Sequence, residues 1–282
     1  MQNKALMDRI INGKGYSMRN VLLKIAYDGS RFHGWQRQPN LRTVQGQLEE
    51  ALSTLTGMDI SLDGTSRTDA GVHALGQCAT MRGTFGIPVE KIPIAANNLL
   101  TDIMILSAEE KPDGFHARYN AAGKTYLYRY AIDPEVTVFL QDYVCLLAKK
   151  PNIVNMEEAA KYIEGTHDFA CFQAAGSAIL ENTVRTVYKI NICTKEKMDS
   201  AGNRYEAVEI EATGDGFLYN MVRIISGTLT KVGFGKMMPK DIEKIIASKD
   251  RTLAGQTAPP QGLYLKEVFF DKEMIERKKG EF

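Results

Sequence analysis

The stretch Asp59 to Met81, DISLDGTSRTDAGVHALGQCATM, decides how this chain folds. Asp59 to Asp63 and Gln77 to Met81 read as two short strands, and between them Ser66 to Gly71 gathers turn formers around one carboxylate. Asp69 therefore sits in a loop between neighbouring strands, with Arg67 just before it and Gly71 just after. Two readings of that loop compete. Asp-Ala-Gly is ordinary turn chemistry, in which Asp bonds the backbone and Gly supplies a positive φ. A carboxylate beside a guanidinium is also kept ionised, because an opposite charge a few ångströms away lowers its pKa by about 1 to 3 units, which leaves a nucleophile or base. Taken alone, the loop favours the turn.

Upstream, Val21 to Tyr27 alternates with Val21, Leu23, Ile25 and Tyr27 on one face, a strand pattern. Thr43 then caps a helix carried by Val44, Leu48, Ala51, Leu52 and Leu55 that stops at Gly57. Downstream come a helix over Val89 to Leu100, despite Pro93, and a strand from Ile103 to Ala108. Strand, helix, strand, strand, helix, strand is the split βαβ, RRM-like or ferredoxin-like order, an antiparallel sheet with helices on one face.

Lys111-Pro112-Asp113-Gly114 breaks the chain, after which the same order returns. A strand over Thr125 to Ile132 is followed by a helix opening at Asn155 with Glu158 in capping-box spacing. Strands follow at Val184 to Ile192 and Tyr205 to Ala212, helices at Tyr219 to Val232 and Lys240 to Ala247, and a last strand at Leu263 to Phe270. The chain thus reads as α+β. An extension over 1–19 precedes one ferredoxin-like domain over 20–112 and a second over 113–272, with a charged tail over 273–282. Two such units aligned edge to edge leave a central cleft, a usual place for a ligand.

At 282 residues and 44% hydrophobic, the chain exceeds one ordinary core, which agrees with two packed units. Thirty-five Lys and Arg against 34 Asp and Glu give a net +1, which excludes a strongly basic nucleic-acid wrapper and means that any polyanion is met by a local patch. The four cysteines are scattered without a C-x-x-C pair, so neither a zinc site nor a disulfide framework is expected. His33, His73, His116 and His167 lack ligand spacing, and no metal site is expected. No G-x-G-x-x-G or P-loop pattern follows a strand, which argues against a nucleotide cofactor. Without a long apolar run, the expected setting is soluble and cytoplasmic, with no membrane partner.

Three further groups carry candidate chemistry. Arg31-Phe32-His33-Gly34-Trp35-Gln36-Arg37-Gln38 combines cations, aromatics and amides, a mixture suited to RNA: arginines meet phosphates, aromatic faces stack on unpaired bases and amides read base edges. Trp35, the sole tryptophan, equally suits a loop anchor on the core. Phe115-His116-Ala117-Arg118 leads to Tyr126, Tyr128 and Tyr130, tyrosines that share a strand face and either fill the core or line the cleft. Arg223 lies between apolar Val222 and Ile224 on a helix, where a guanidinium calls for an anionic partner.

From Val21 to Phe270 these motifs, in this order, resemble the tRNA pseudouridine synthase A family. The match is carried by Tyr27-Asp28-Gly29-Ser30, Gly34 to Gln38, Arg67 to His73, Phe115 to Arg118, Tyr126-Leu127-Tyr128, Asn220 to Arg223 and Gly262 to Leu265. The resemblance implies two ferredoxin-like domains in one extended sheet and a positively charged cleft between them. It also implies a homodimer that binds tRNA and a cofactor-free isomerisation of uridine to pseudouridine in the anticodon stem-loop, at positions 38 to 40. On this chain it implies Asp69 as the residue that attacks the nucleoside, at sugar or base, and Tyr126 as the tyrosine that stacks on the target uracil and assists proton removal from C5. It implies Arg223 as the partner of Asp69 and Arg67 as the residue that holds the flipped nucleotide open. The expected RNA contacts are Arg31, His33, Trp35, Gln36, Arg37, Thr68, His73, Phe115, His116, Arg118 and Tyr128. One position departs: Ser66 stands where the family usually has glycine before Arg-Thr-Asp, so the backbone there must accept a side chain. A paralogue acting on another RNA, such as ribosomal RNA, and a non-catalytic RNA-binding module or chaperone are the alternatives.

Overall fold

The computed structural model describes residues 17–132, 138–174, 176, 182–273 and 275. The expected N-terminal extension is outside them up to residue 16, as is the expected tail from 276 onward. The chain divides into two compact units, Met1–Ala121 and Ala122–Phe282. The turn at 111–114 thus precedes the boundary, and side chains of the first unit account for the difference. Asn20 Nδ2 donates to the carbonyls of Pro112 and Phe115 at 2.8 Å each. Arg82 donates to Phe115 O at 3.0 Å and the Thr65 hydroxyl to Ala117 O at 3.2 Å, which ties 112–117 to this unit.

In the first unit, β1 (Arg19–Tyr27), α1 (Val44–Thr56), β2 (Leu62–Gly64), β3 (His73–Gly83), α2 (Ile92–Asn97) and β4 (Ile103–Lys111) follow in turn. The strands lie in the order β4-β1-β3-β2 with every pairing antiparallel, the ferredoxin-like arrangement expected from the sequence. Val21, Leu23 and Ile25 of β1 and Val44, Leu48 and Leu52 of α1 are fully buried. Each such side chain contributes roughly 1.5–3 kcal/mol of burial. Thr43 caps α1 through its hydroxyl, and Gly57 closes it in the left-handed region at φ 71.

The expected helix over 89–100 is shorter than its pattern. Val89–Lys91 is a 3₁₀ turn and α2 starts at Ile92, because Pro93 has no N–H and its ring would clash with the carbonyl one turn back. Asn97 ends α2 by exchanging two hydrogen bonds with the backbone of Ile105, at 2.8 and 3.1 Å. Strand β3 is longer than expected, taking in His73 to Gly76.

The second unit repeats the pattern with insertions: β5 (Gly123–Ile132), β6 (Cys145–Leu147), α3 (Ile153–Ile163), β7 (Gly165–Asp168), β8 (Val184–Met198), β9 (Arg204–Gly214), α4 (Met221–Gly233), α5 (Asp241–Ser248) and β10 (Leu263–Phe269). Its sheet runs β10-β5-β9-β8-β7, antiparallel throughout, with β6 parallel to the end of β5. The strands equivalent to β4, β1, β3 and β2 again stand in that order. The cap of α3 is Asn152, whose Oδ1 accepts from Asn155 N at 3.1 Å, not Asn155 as its spacing from Glu158 suggested.

Glu209, on β9, is 3% exposed and is met by Arg129 at 2.9 Å, Lys195 at 2.9 Å and Lys197 at 3.0 Å. Burial pushes its carboxyl up, but the bonds from Lys195 and Lys197 and the charge of Arg129 outweigh it and hold the pKa at about 2. The four cysteines are free thiols. Among the described residues no helix is long and apolar enough to cross a membrane.

Candidate active site

Strands β2 and β3 deliver the Asp69 loop, and its neighbours pin it residue by residue. Thr65 donates its N–H and its hydroxyl to Cys78 O, at 2.8 and 3.0 Å. Gln77, fully buried, donates Nε2 to Ser66 O at 2.6 Å. Thr68 is held twice: its hydroxyl shares a 2.7 Å bond with the buried Tyr27 hydroxyl, and its carbonyl accepts from Trp35 N at 3.0 Å. At the far end, Val72 N donates to Asp69 O at 3.1 Å with Gly71 at φ 77, a type II-like turn.

The turn reading holds for the backbone of the loop. Asp69 makes the turn with its backbone and is half-buried as a residue, and Arg67, two positions earlier, is exposed. Ser66 is not among the residues with a left-handed backbone, so its φ does not call for a glycine.

The loop 31–38 supports this one from beneath. Gly34 takes φ 85, and a Cβ there would lie 2.6 Å from Thr68 O, so only glycine lets the two backbones approach. Trp35 is 2% exposed, with Tyr27 at 6.2 Å between ring centroids, and its indole fills the space over Gly64. Trp35 thus anchors the loop on the core. His73 and Thr68 are likewise buried supports. Nδ1 of His73 accepts the Gly29 N–H at 3.0 Å and lies 3.3 Å from a carboxylate oxygen of Asp28.

The remaining candidates of the first unit face water to different degrees. Gln36 and Arg37 are tied to α1, Gln36 through Gln45 at 3.1 Å and Arg37 through Glu49 at 2.9 Å. Arg31, His33, Arg67 and Arg118 are exposed, and Phe115 and His116 are half-buried.

In the second unit, Tyr126 is 6% exposed and meets Phe217 edge-on at 5.4 Å. Tyr128, two residues on, is core: it is fully buried and its hydroxyl donates to Pro259 O at 2.8 Å. Burial pushes the Tyr128 phenol well above its ordinary pKa, which keeps it protonated at neutral pH. Arg223 begins α4 and is half-buried. Its Nε donates to Ala258 O at 2.7 Å and its Nη1 to Asn220 Oδ1 at 2.6 Å, so two neutral oxygens fix the plane of the guanidinium. Asn220 reaches that bond from a left-handed backbone at φ 59.

Residue-level reading missed the supports Tyr27, Thr65, Gln77 and Asn220. Tyr27 and Asn220 stand in motifs quoted for the resemblance, but only contacts distant in sequence reveal what they hold.

A doubled ferredoxin-like chain with an aspartate loop braced on buried aromatics defines a class of protein, and its relatives define the family. A family model described as tRNA pseudouridine synthase matches residues 24–120 and 159–271. A protein of Ruminiclostridium cellulolyticum named tRNA pseudouridine synthase A is 46% identical over 254 residues, covering 90% of this chain and all of the relative. Proteins of Clostridium tetani, named tRNA pseudouridine synthase A 2, and of Thermoanaerobacter sp. strain X514, named tRNA pseudouridine synthase A, are 45% and 44% identical over 90% of this chain and 99% and 100% of their own. The chain belongs to the tRNA pseudouridine synthase family.

Proposed function

We propose that this protein isomerises uridine to pseudouridine in the anticodon stem-loop of tRNA, at positions 38 to 40, with Asp69 as nucleophile. The observation that carries the reading is the Asp69 loop itself, which is bonded at Thr65, Ser66, Thr68 and Val72 while Asp69 as a residue is only half-buried. Such bracing holds a reacting group in one geometry, and positioning of that kind can remove a large part of the barrier to attack on a bound substrate.

The reaction needs no cofactor, because nothing is oxidised or reduced. The bond from ribose C1′ to N1 breaks, the uracil turns, a bond from C1′ to C5 forms, the C5 proton leaves and N1 gains one. Asp69 holds the sugar or the base during the turn. Tyr126 stacks on the uracil and assists the loss of the C5 proton. Arg223 pairs with Asp69, and Arg67 keeps the extruded nucleotide out of the stem. Extrusion costs a few kcal/mol, which stacking and phosphate contacts offset. The protein works in the cytoplasm as a homodimer.

Unmodified tRNA incubated with the protein is expected to give pseudouridine at positions 38 to 40, read by carbodiimide-dependent reverse-transcription stops. Asp69→Asn is expected to abolish product while leaving the tRNA Kd within about threefold, since the carboxylate adds little to backbone binding. Wild-type protein that forms no pseudouridine in any tRNA refutes the proposal, and an active Asp69→Asn variant removes Asp69 from the chemistry.

A further inference from the structure

Beyond the loop of Asp69, the described residues of the first unit present one large aromatic side chain that folding does not explain. Tyr119 is 77% exposed, and its hydroxyl makes no hydrogen bond among the described residues. Exposed tyrosines are common on loose loops, but this one stands on a fixed turn. Phe115 N donates to Pro112 O at 2.9 Å, His116 N donates to Asn120 Oδ1 at 2.8 Å, and Asn120 N returns to His116 O at 3.0 Å. Ala117, beneath the turn, is fully buried and accepts from the Thr65 hydroxyl.

The ring is braced by its neighbours. The His116 imidazole lies 4.4 Å from it between centroids, and Arg118 holds its guanidinium 6.0 Å from the ring centre. His116 is itself fixed, because its Nδ1 accepts the Arg118 N–H at 3.1 Å. An aromatic face with a cation alongside, held at low conformational cost, is the arrangement that unpaired bases stack on. Thr65 opens the Asp69 loop, so chain reach limits the distance from Tyr119 to Asp69 to roughly 25 Å. One RNA stem-loop spans that distance.

We infer that Tyr119 is a base-stacking residue for the RNA substrate: it takes the face of an unpaired nucleotide near the target uridine and contributes to binding rather than to the chemical step. This rests on the pseudouridine synthase reading for the identity of the RNA.

The experiment compares wild type, Tyr119→Ala and Tyr119→Phe for tRNA Kd, for the salt dependence of Kd, for Tm, and for single-turnover rate at saturating tRNA. Loss of one stacking contact is expected to raise Kd on the order of tenfold in Tyr119→Ala, with Tm, the salt slope and the saturated rate unchanged. Tyr119→Phe, which keeps the ring face, is expected to bind within about twofold of wild type. Unchanged binding in Tyr119→Ala overturns the inference. So does a loss of binding in Tyr119→Phe as large as in Tyr119→Ala, a fall in Tm, or a flatter salt slope, since the lost contact would then be a hydroxyl bond, a fold contact or a phosphate contact. Wild-type protein that binds tRNA but forms no pseudouridine refutes the synthase reading instead, and leaves the binding comparison intact.

Discussion

Thr68 carries the loop. It stands between Arg67 and Asp69, and its hydroxyl and carbonyl are bonded to Tyr27 and Trp35, from different parts of the first unit. That alternation of outward Arg67, inward Thr68 and outward Asp69 puts two charged groups at the surface on a buried stem. If the hydroxyl bond positions the nucleophile, removing either partner loosens the same contact. Tyr27→Phe and Thr68→Val are each expected to lower stability by about 1 kcal/mol and to reduce kcat more than they raise KM. The double variant is expected to cost less than the sum, with a coupling energy near 1 kcal/mol read by denaturant titration. Strict additivity would mean that the bond does not brace the loop. From sequence, Trp35 presented equal claims as stacking residue and anchor. The choice fell to Gly34 and Gly64, which leave space for the backbone and the indole, and no local pattern announces that.

Among the elements, helices with a single strong stop or cap were legible and those with competing signals were not. Thr43 and Gly57 bracket α1 as their residue types predict. Asn155 and Glu158 imitate a capping box one turn too late, because Asn152 fills the same role earlier. Asn152→Ala is therefore expected to cost about 1 kcal/mol by thermal unfolding and Asn155→Ala less than about half of that, while the reverse order would restore the later cap.

Across the strands of the second unit, Glu209 gathers cations from β5 and β8. Its folded pKa of about 2 lies below its ordinary carboxylate value. Its contribution is therefore complete above about pH 4.5 and is lost as pH falls toward about 2, when the folded state too becomes protonated. Glu209→Gln is expected to destabilise the protein by about 3 kcal/mol at pH 7, because three cations lose a buried partner. The gap in Tm between variant and wild type is expected to narrow over that acid window, and a constant gap would show that the carboxylate charge is not what stabilises the sheet.

For the whole molecule, a net charge of +1 means that tRNA is met by placed cations and not by overall charge. Arg31 and Arg118 are exposed, and we propose them as phosphate partners. Replacing both by glutamine is expected to weaken binding of every tRNA alike and to lower the slope of log Kd against log salt by about 2, and an unchanged slope would place the phosphates elsewhere. The two periods of hydrophobicity, the turn residues and the order of strands and helices were sufficient by themselves to determine a twice-repeated ferredoxin-like plan, because alternation and helical spacing are properties of consecutive residues. The same sequence supplied Asp69, Tyr126, Arg67 and Arg223 as residues worth testing. Tertiary structure alone decided the inward turn of Trp35, the full burial of Tyr128, the bonding of Thr68, and the assignment of 113–121 to the first unit. Those outcomes depend on close contacts between residues far apart in the chain, which no local pattern encodes.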